Sequence, residues 1–183
     1  DQAETILQRM LRGAGPSGLR GMQRESKIGG LRIVRPLLLV QGAQLRKFLT
    51  TNAIPWRDDA SNLAMNQQRN RVRRLLAAQP DLKEHLLKLG EACAKWVYWL
   101  KRNSPALAET FATRELFELP APLAEYAARR WLAQRNTFAQ QITPDATQRL
   151  IEMASDAASP PAQHFPGGIL VRRRQGKIFV DAS

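Results

Sequence analysis

The amino-acid sequence predicts an α/β fold that continues into a mainly α-helical segment and ends in a β-hairpin. Three observations support this prediction. A branched, apolar stretch at residues 31–39 is typical of a strand, and amphipathic helical patterns flank it. From Pro80 onward, apolar residues recur at helical spacing. Near the end, two short branched stretches flank Arg174-Gln175-Gly176, a pattern typical of a hairpin.

The first segment opens with a helical pattern for which Gly13 provides a C-cap. The glycine-rich stretch 13–18 formally matches G-x-G-x-x-G. A dinucleotide-binding loop follows a strand, whereas this one follows a helix, so we interpret it as an ordinary loop. After the strand at 31–39, helices are predicted at 41–52 and 64–76, the latter strongly basic.

These elements are too few to close a doubly wound sheet. Residues 1–78 are therefore predicted to be the second half of a doubly wound, Rossmann-like domain whose first half is absent from the sequence. Residues 79–183 are predicted to form a second domain. Its predicted helices and hairpin strands span 82–100, 120–134, 144–157, 169–173 and 177–180.

Composition excludes several classes of protein. The chain carries 28 Lys and Arg against 16 Asp and Glu, a net charge of +12. Its apolar runs are far shorter than the roughly 20 residues of a membrane helix. One cysteine, Cys93, excludes an internal disulfide and, with two histidines, argues against a zinc site. We therefore expect a cytoplasmic, non-membrane protein with a polyanionic partner.

The charge is concentrated in the first segment. Residues 1–75 hold 14 basic and 5 acidic residues, and 12 of the basic residues are arginines. Guanidinium groups bind phosphate in a bidentate manner, so this bias favours a nucleic-acid or nucleotide partner. A generally basic solvated surface is the alternative interpretation.

Four stretches carry more specific information: DQAET at 1–5, LRGAGPSGLRGM at 11–22, VRPLLLV at 34–40, and WRDDASN with RNRVR at 56–62 and 69–73. In this order and spacing they resemble the tRNA(Ile)-lysidine synthases of the N-type ATP pyrophosphatase superfamily. The resemblance covers about residues 1–80. The remainder is loosely similar to the helical substrate-binding domain that such enzymes carry next.

The resemblance implies a two-step ligation on the wobble cytidine of tRNA(Ile) with a CAU anticodon. ATP adenylates the C2 oxygen of the cytosine and releases pyrophosphate. The amine of free L-lysine then displaces AMP and forms lysidine. The implied cofactors are ATP and Mg²⁺, and the implied partners are the tRNA and lysine. Whether the chain forms a homodimer stays open.

The resemblance also implies roles for individual residues. Asp1 and Arg69 are the predicted catalytic residues, and Asp1 is also the candidate Mg²⁺ ligand because magnesium prefers carboxylate and phosphate oxygens. Alternatively, Asp1 and Glu4 only favour the helix N-terminus. The predicted ATP-binding residues are Arg12, Gly13 and Gly15, with helix capping as the alternative.

The predicted substrate-binding residues are Arg35, Asp59, Asn62, Asn70, Arg73, Arg172, Arg173, Arg174 and Lys177. Arg69 and Arg73 share a helix face and could neutralise pyrophosphate or hold the anticodon loop. Arg35 points to a cleft or lies at the surface. Asp59 and Asn62 act in substrate binding or stabilise their own turn. The basic hairpin tip is expected to contact the RNA backbone.

One family feature is absent. The phosphate-binding signature SGGxDS occurs nowhere in the sequence and would lie upstream of Asp1, so we expect this chain to be unable to bind ATP normally by itself. Two other functions stay open. A related tRNA thiolation enzyme would rely on more cysteines than Cys93, and a non-catalytic basic RNA- or DNA-binding module would need no phosphate loop.

Overall fold

A computed structural model describes residues 2–28, 30–57, 67–135 and 142–181. The chain divides into two compact units, Asp1–Val97 and Tyr98–Ser183. This division falls inside a long helix. The boundary predicted from the sequence, between residues 78 and 79, stays a prediction.

The described part of unit 1 contains short helices and a two-stranded sheet. Its elements are α1 (Gln2–Leu11), α2 (Pro16–Leu19), β1 (Glu25–Ile28), β2 (Leu31–Val34), α3 (Gly42–Thr51), α4 (Gln67–Ala78) and the start of α5 (Pro80–Asn103). β1 and β2 are antiparallel, with Glu25 opposite Val34. The helices predicted at 41–52 and from 82 onward are confirmed as α3 and α5. The one predicted at 64–76 is confirmed where the structure describes it, as α4.

The strand prediction at 31–39 was too long. β2 ends at Val34, and residues 36–39 form a turn in which Leu37 and Leu39 are exposed. Pro36 explains the early end, because proline has no backbone N–H to donate to a sheet. β1 was not predicted, since its sequence ESKI lacks a branched, apolar pattern. The predicted loop after α1 also contains the single turn α2.

The core of unit 1 lies where α1, α4 and α5 meet. Its buried residues are Ala3, Ile6, Leu7, Val72, Leu76 and Leu86. Gly90 allows α5 to approach closely: a Cβ atom there would lie 2.6 Å from Cδ1 of Ile6 and 3.3 Å from the carbonyl oxygen of Leu19. This packing fixes α4 against α1, and it thereby sets which polar side chains of the two helices meet.

Unit 2 consists of helices packed on a four-stranded antiparallel sheet. Its elements are the end of α5, β3 (Phe111–Ala112), α6 (Arg114–Phe117), α7 (Ala121–Arg135), α8 (Pro144–Ser155), β4 (Ala162–Phe165), β5 (Ile169–Arg174) and β6 (Lys177–Val180). The sheet order is β3-β6-β5-β4. The predicted helices α7 and α8 and the hairpin β5–β6 are confirmed. The flanking strands β3 and β4 were not predicted.

A continuous apolar core joins the helices of unit 2 to one face of the sheet. Phe111 and Trp131 meet edge to face, with ring centroids 5.2 Å apart. Val171 and Ile178 are fully buried on the inner sheet face. Because side chains alternate along a strand, their neighbours on β5 and β6 lie on the opposite face. Thr143 is the N-cap of α8, since its hydroxyl accepts from the Ala146 N–H at 3.2 Å.

In the ranges described, no helix is both long and apolar enough to cross a membrane. The same ranges contain no group of three or more His, Cys, Asp or Glu side chains placed to hold a metal ion.

Candidate functional site

The first candidate site lies in unit 1, where α1 faces α4. Nε of Arg73 donates to both carboxylate oxygens of Glu4, at 3.1 and 3.2 Å. The Glu4 side chain is 16% exposed and that of Arg73 is 38% exposed. The contact joins DQAET at one end of unit 1 to RNRVR, 69 residues later. The spacing of Ala3, Val72 and Leu76 in the adjoining core brings the pair together.

The geometry of this pair leaves part of the guanidinium available. Only Nε of Arg73 is hydrogen-bonded to Glu4, and the two terminal nitrogens bond to no residue that the structure describes. A carboxylate at Nε fixes the plane of the guanidinium, and its terminal fork can then receive a second anion. As far as the described residues go, a phosphate group could bind this fork without first breaking an ion pair.

The other predicted residues of α4 differ in their surroundings. Arg69 lies one helical turn before Arg73, and Asn70 beside it is partly buried. Arg71 and Arg74 are exposed, in keeping with a solvated role. Three predicted site residues, Asp1, Asp59 and Asn62, lie outside the described ranges.

The loop after α1 is a helix cap. Gly13 has a φ of +72°, and its N–H bonds the Met10 carbonyl at 2.9 Å. The Ala14 N–H bonds the Arg9 carbonyl at 3.0 Å, which completes a Schellman motif. These two amides are therefore engaged within the helix. A phosphate at the predicted ATP-binding residues would have to bind the exposed Arg12 side chain and the backbone at Gly15.

Two residues that hold this loop were missed by the sequence analysis. The Gln2 side-chain amide forms paired hydrogen bonds with the Met22 backbone, both at 2.8 Å. Nη1 of Arg9 donates to the carbonyls of Gly18 and Gly21 at 2.8 and 2.9 Å. Neither contact could be predicted from local periodicity, because each reaches backbone nine or more residues away.

Arg35 binds its own hairpin. Its Nη1 donates to the Gln23 carbonyl at 3.1 Å and to Oγ of Ser26 at 2.9 Å. The side chain is partly buried and ties the end of β2 to the segment before and within β1. Of the four motifs, VRPLLLV thus contributes its arginine to the framework of unit 1.

The second candidate site is the outer face of the sheet in unit 2. Arg172 lies opposite Phe179, and Arg174 lies opposite Lys177. A groove with a volume of about 370 Å³ follows this face. Its lining consists of Pro161, Ala162, Arg172, Arg173, Arg174, Phe179 and Asp181. The combination of the outward-facing guanidinium groups of Arg172 and Arg174 with the Phe179 ring is suited to an anionic ligand that also carries a flat ring.

Arg173 differs from its neighbours, because its hydrogen bonds are all internal to unit 2. Nη1 donates to the carbonyls of Met153 and Asp156 at 2.8 and 2.5 Å. Nη2 donates to those of Ala157 and Ser159 at 2.8 and 2.9 Å. The side chain therefore closes the C-terminal end of α8 and the following turn, and this occupies the groups with which it would contact RNA.

Arg135 is a structural arginine in the same unit. Its guanidinium lies 4.2 Å from the Trp131 ring centroid and donates to the Trp131 carbonyl at 3.0 Å. Burial lowers the pKa of Arg135, and the Glu109 carboxylate acts in the opposite direction. This site stabilises the core and lies outside the groove lining.

Comparison with known proteins identifies the domains that contain the two candidate sites. A PP-loop domain model matches residues 1–79, which include Glu4 and Arg73. A TilS substrate binding domain model matches residues 112–179, which include the arginines of the groove. These matches define the class: a PP-loop, or N-type ATP pyrophosphatase, domain followed by a TilS substrate-binding domain. The predicted fold class is confirmed.

Several curated relatives carry the name tRNA(Ile)-lysidine synthase. The relative from Coxiella burnetii is 42% identical over 196 residues, covering 98% of this chain and 42% of its own length. That from Solibacter usitatus is 32% identical, covering 91% and 41%. One from Thermus thermophilus is 31% identical, covering 98% and 36%. The chain belongs to the tRNA(Ile)-lysidine synthase family, as its motifs predict, and spans about two-fifths of the length of these relatives.

Proposed function

We propose that this chain serves the ATP-dependent addition of lysine to the wobble cytidine of tRNA(Ile) with a CAU anticodon. The observation that carries the proposal is the Glu4–Arg73 ion pair, which joins the two most diagnostic motifs of the PP-loop segment. In the proposed reaction, the cytosine C2 oxygen attacks the α-phosphate of ATP and pyrophosphate leaves. The lysine amine then attacks C2, and AMP leaves.

The residues of unit 1 would act by electrostatic preorganisation. Glu4 holds Arg73 through Nε, so the terminal fork of Arg73 is oriented before a phosphate arrives. Arg69, one turn earlier in α4, would add a second positive charge from the same face of the helix. Together they would stabilise the negative charge that develops on pyrophosphate. Asn70, Asp59, Asn62 and Arg35 stay proposed substrate contacts.

ATP and Mg²⁺ place different demands on the chain. Arg12 and Gly15 offer a side-chain cation and open backbone for phosphate oxygens. Glu4 is paired with Arg73, and Asp1 stays the proposed magnesium ligand. Magnesium held there would supply positive charge against the phosphate groups.

The tRNA would contact the basic outer face of the sheet in unit 2, through Arg172, Arg174 and Lys177.

A domain boundary between residues 78 and 79 is supported by the PP-loop match, which ends at residue 79. We further propose that the enzyme is cytoplasmic, and a homodimer is compatible with the proposal.

The test is a chimera in which this chain replaces the matched segment of the Coxiella burnetii relative. Purified chimera is incubated with ATP, labelled lysine and tRNA(Ile) transcript with a CAU anticodon, and incorporation into the tRNA is measured. We expect incorporation by the chimera and its loss in the Arg69→Ala variant, because removing one of two guanidiniums leaves the pyrophosphate charge uncompensated.

The matched control is Arg71→Ala in the same helix, since Arg71 is exposed and off the Arg69–Arg73 face. We expect the control to retain most of the activity. A folded chimera that binds tRNA but incorporates no lysine would contradict the proposal. That result would favour the second candidate function, a non-catalytic RNA-binding module, for which the groove in unit 2 is the supporting observation.

A further inference from the structure

The groove on the outer face of the unit 2 sheet combines features that a simple phosphate-binding patch would not need. Phe179 is partly exposed on the solvent side of the sheet, directly across from Arg172. The phenylalanines of β3 and β4, Phe111 and Phe165, are instead buried in the core. An aromatic ring that stays at the surface between cations provides a platform on which a flat ring can stack.

We propose that this groove binds one unpaired nucleotide of an RNA strand, with its base stacked on Phe179 and its flanking phosphates on Arg172 and Arg174. The inference rests on the proposed function only in taking RNA as the partner. It adds Phe179 and Asp181 to the interface, and it specifies a single-stranded RNA segment. The groove volume of about 370 Å³ is within the range of small-ligand sites.

The electrostatics of the groove support this arrangement. Nε of Arg172 pairs with Oδ2 of Asp181 at 2.5 Å, so its terminal fork is oriented, and it bonds to no residue that the structure describes. Arg174 is exposed, and its guanidinium bonds to no residue within the ranges described. These two cations are available to the phosphates that flank a base, and the Phe179 ring selects for the base itself.

An unpaired nucleotide fits this surface better than a duplex does. In a helical duplex the bases are stacked on one another, and their faces cannot reach a ring at the protein surface. In a single strand a base can turn out and stack on an aromatic side chain. The outer face at Arg172, Phe179 and the small residue Ala162 offers room for such a base.

Binding of the full 183-residue chain to a short single-stranded RNA and to a duplex with equal phosphate number tests the proposal by fluorescence anisotropy. We expect Phe179→Ala to weaken single-strand binding about fivefold or more, because stacking one base contributes about 1 kcal/mol or more. Phe179→Tyr should restore it. Duplex binding should change by less than about twofold, since only phosphates are contacted there.

Lys101→Ala is the matched control, because Lys101 is an exposed cation of unit 2 that does not line the groove. Its single-strand affinity should equal that of the unmodified chain. Arg174→Ala should weaken binding to both RNAs. Equal losses for the two RNAs in Phe179→Ala, or no loss in either, would overturn the stacking proposal and leave the lysidine proposal untouched.

A second measurement needs no variant. RNA carrying 4-thiouridine is irradiated with the unmodified chain, and the attachment points are located by mass spectrometry. We expect attachment at Phe179 or at the adjoining groove residues Pro161 and Ala162. Attachment confined to residues 1–97 would overturn the proposal, even if lysine incorporation by the chimera succeeded.

Discussion

The arginines of β5 show how neighbouring identical side chains acquire different roles. Arg172 and Arg174 lie on the solvent face of the sheet, whereas the Arg173 side chain starts on the inner face with Val171. Arg173 reaches the end of α8 and donates to four backbone carbonyls there. The last carbonyls of a helix have no partners within the helix. They carry partial negative charge, so a cation close to them is favourable.

Arg173→Ala should therefore destabilise the fold. Hydrogen bonds to charged groups contribute about 1.5–3 kcal/mol, and we expect a loss of free energy of unfolding of about that size. The exposed Arg174→Ala should change it by less than about 0.5 kcal/mol. Urea denaturation followed by circular dichroism measures both values. Equal stabilities for the two variants would show that the Arg173 contacts contribute little.

Some features of the arginines could be predicted from the sequence, and others could not. The i, i+4 spacing of Arg69 and Arg73 was visible in the sequence, and so was the basic character of α4. The contact of Arg73 with Glu4 could not be predicted from the sequence, because it depends on how α1 packs against α4, and the two residues are 69 positions apart in the chain. The different orientation of Arg173 was also not predicted. Side chains alternate along β5, so Arg173 faces away from Arg172 and Arg174, but in the sequence all three belong to one unbroken basic run.

Among the elements, the β5–β6 turn was predicted correctly from its own residues, Arg174-Gln175-Gly176. Gln175 and Gly176 have φ values of +51° and +70°, as both central residues of a type I′ turn require. The Gly176 carbonyl also accepts from the Thr113 N–H at 2.8 Å, which anchors β3 to the turn. Glycine adopts positive φ without strain, whereas glutamine does so at a cost.

Gln175→Asn should consequently stabilise the chain, because asparagine tolerates the left-handed conformation better than glutamine does. We expect an increase in the free energy of unfolding of about 0.5 kcal/mol, seen as a higher melting temperature. Gly176→Ala is the opposing control and should lower the melting temperature, since alanine is strained at a positive φ. A lower melting temperature for Gln175→Asn would contradict the turn assignment.

The elements that sequence predicted and those it missed differ in how locally they are specified. α3, α7, α8 and the hairpin carry their own periodicity, caps or turn residues, and all are present. β1, β3 and β4 are strands of two or four residues whose pairing partners create them. The apolar run 37–40 was predicted as part of a strand, but it lies outside the sheet because the strand ends before Pro36.

For the molecule as a whole, the sequence located the charge correctly but could not assign its use. Of the net charge of +12, +9 belongs to residues 1–75. Within the described part of this segment, Arg9 and Arg35 bind backbone carbonyls and Arg73 binds Glu4. Part of the excess therefore stabilises unit 1 itself. The net charge alone therefore does not identify the cations that contact RNA.

RNA binding by the chain should weaken steeply as salt is raised. Each phosphate neutralised on a single strand releases counterions and contributes about −0.7 to the slope of log affinity against log salt concentration. If Arg172 and Arg174 each contact one phosphate, the double variant Arg172→Ala/Arg174→Ala should flatten that slope by about 1.4. Anisotropy titrations over a range of potassium chloride concentrations measure both slopes.

The comparison separates contacts from mere charge. The matched variant Lys83→Ala/Lys101→Ala also removes two exposed cations, and it should leave the slope nearly unchanged because neither lysine lines the groove. A flat dependence in the unmodified chain would show that the charge excess is not an RNA footprint. Equal flattening of the slope by both double variants would contradict the proposed contacts. It would mean that the net charge of the chain attracts the RNA, whichever cations supply that charge.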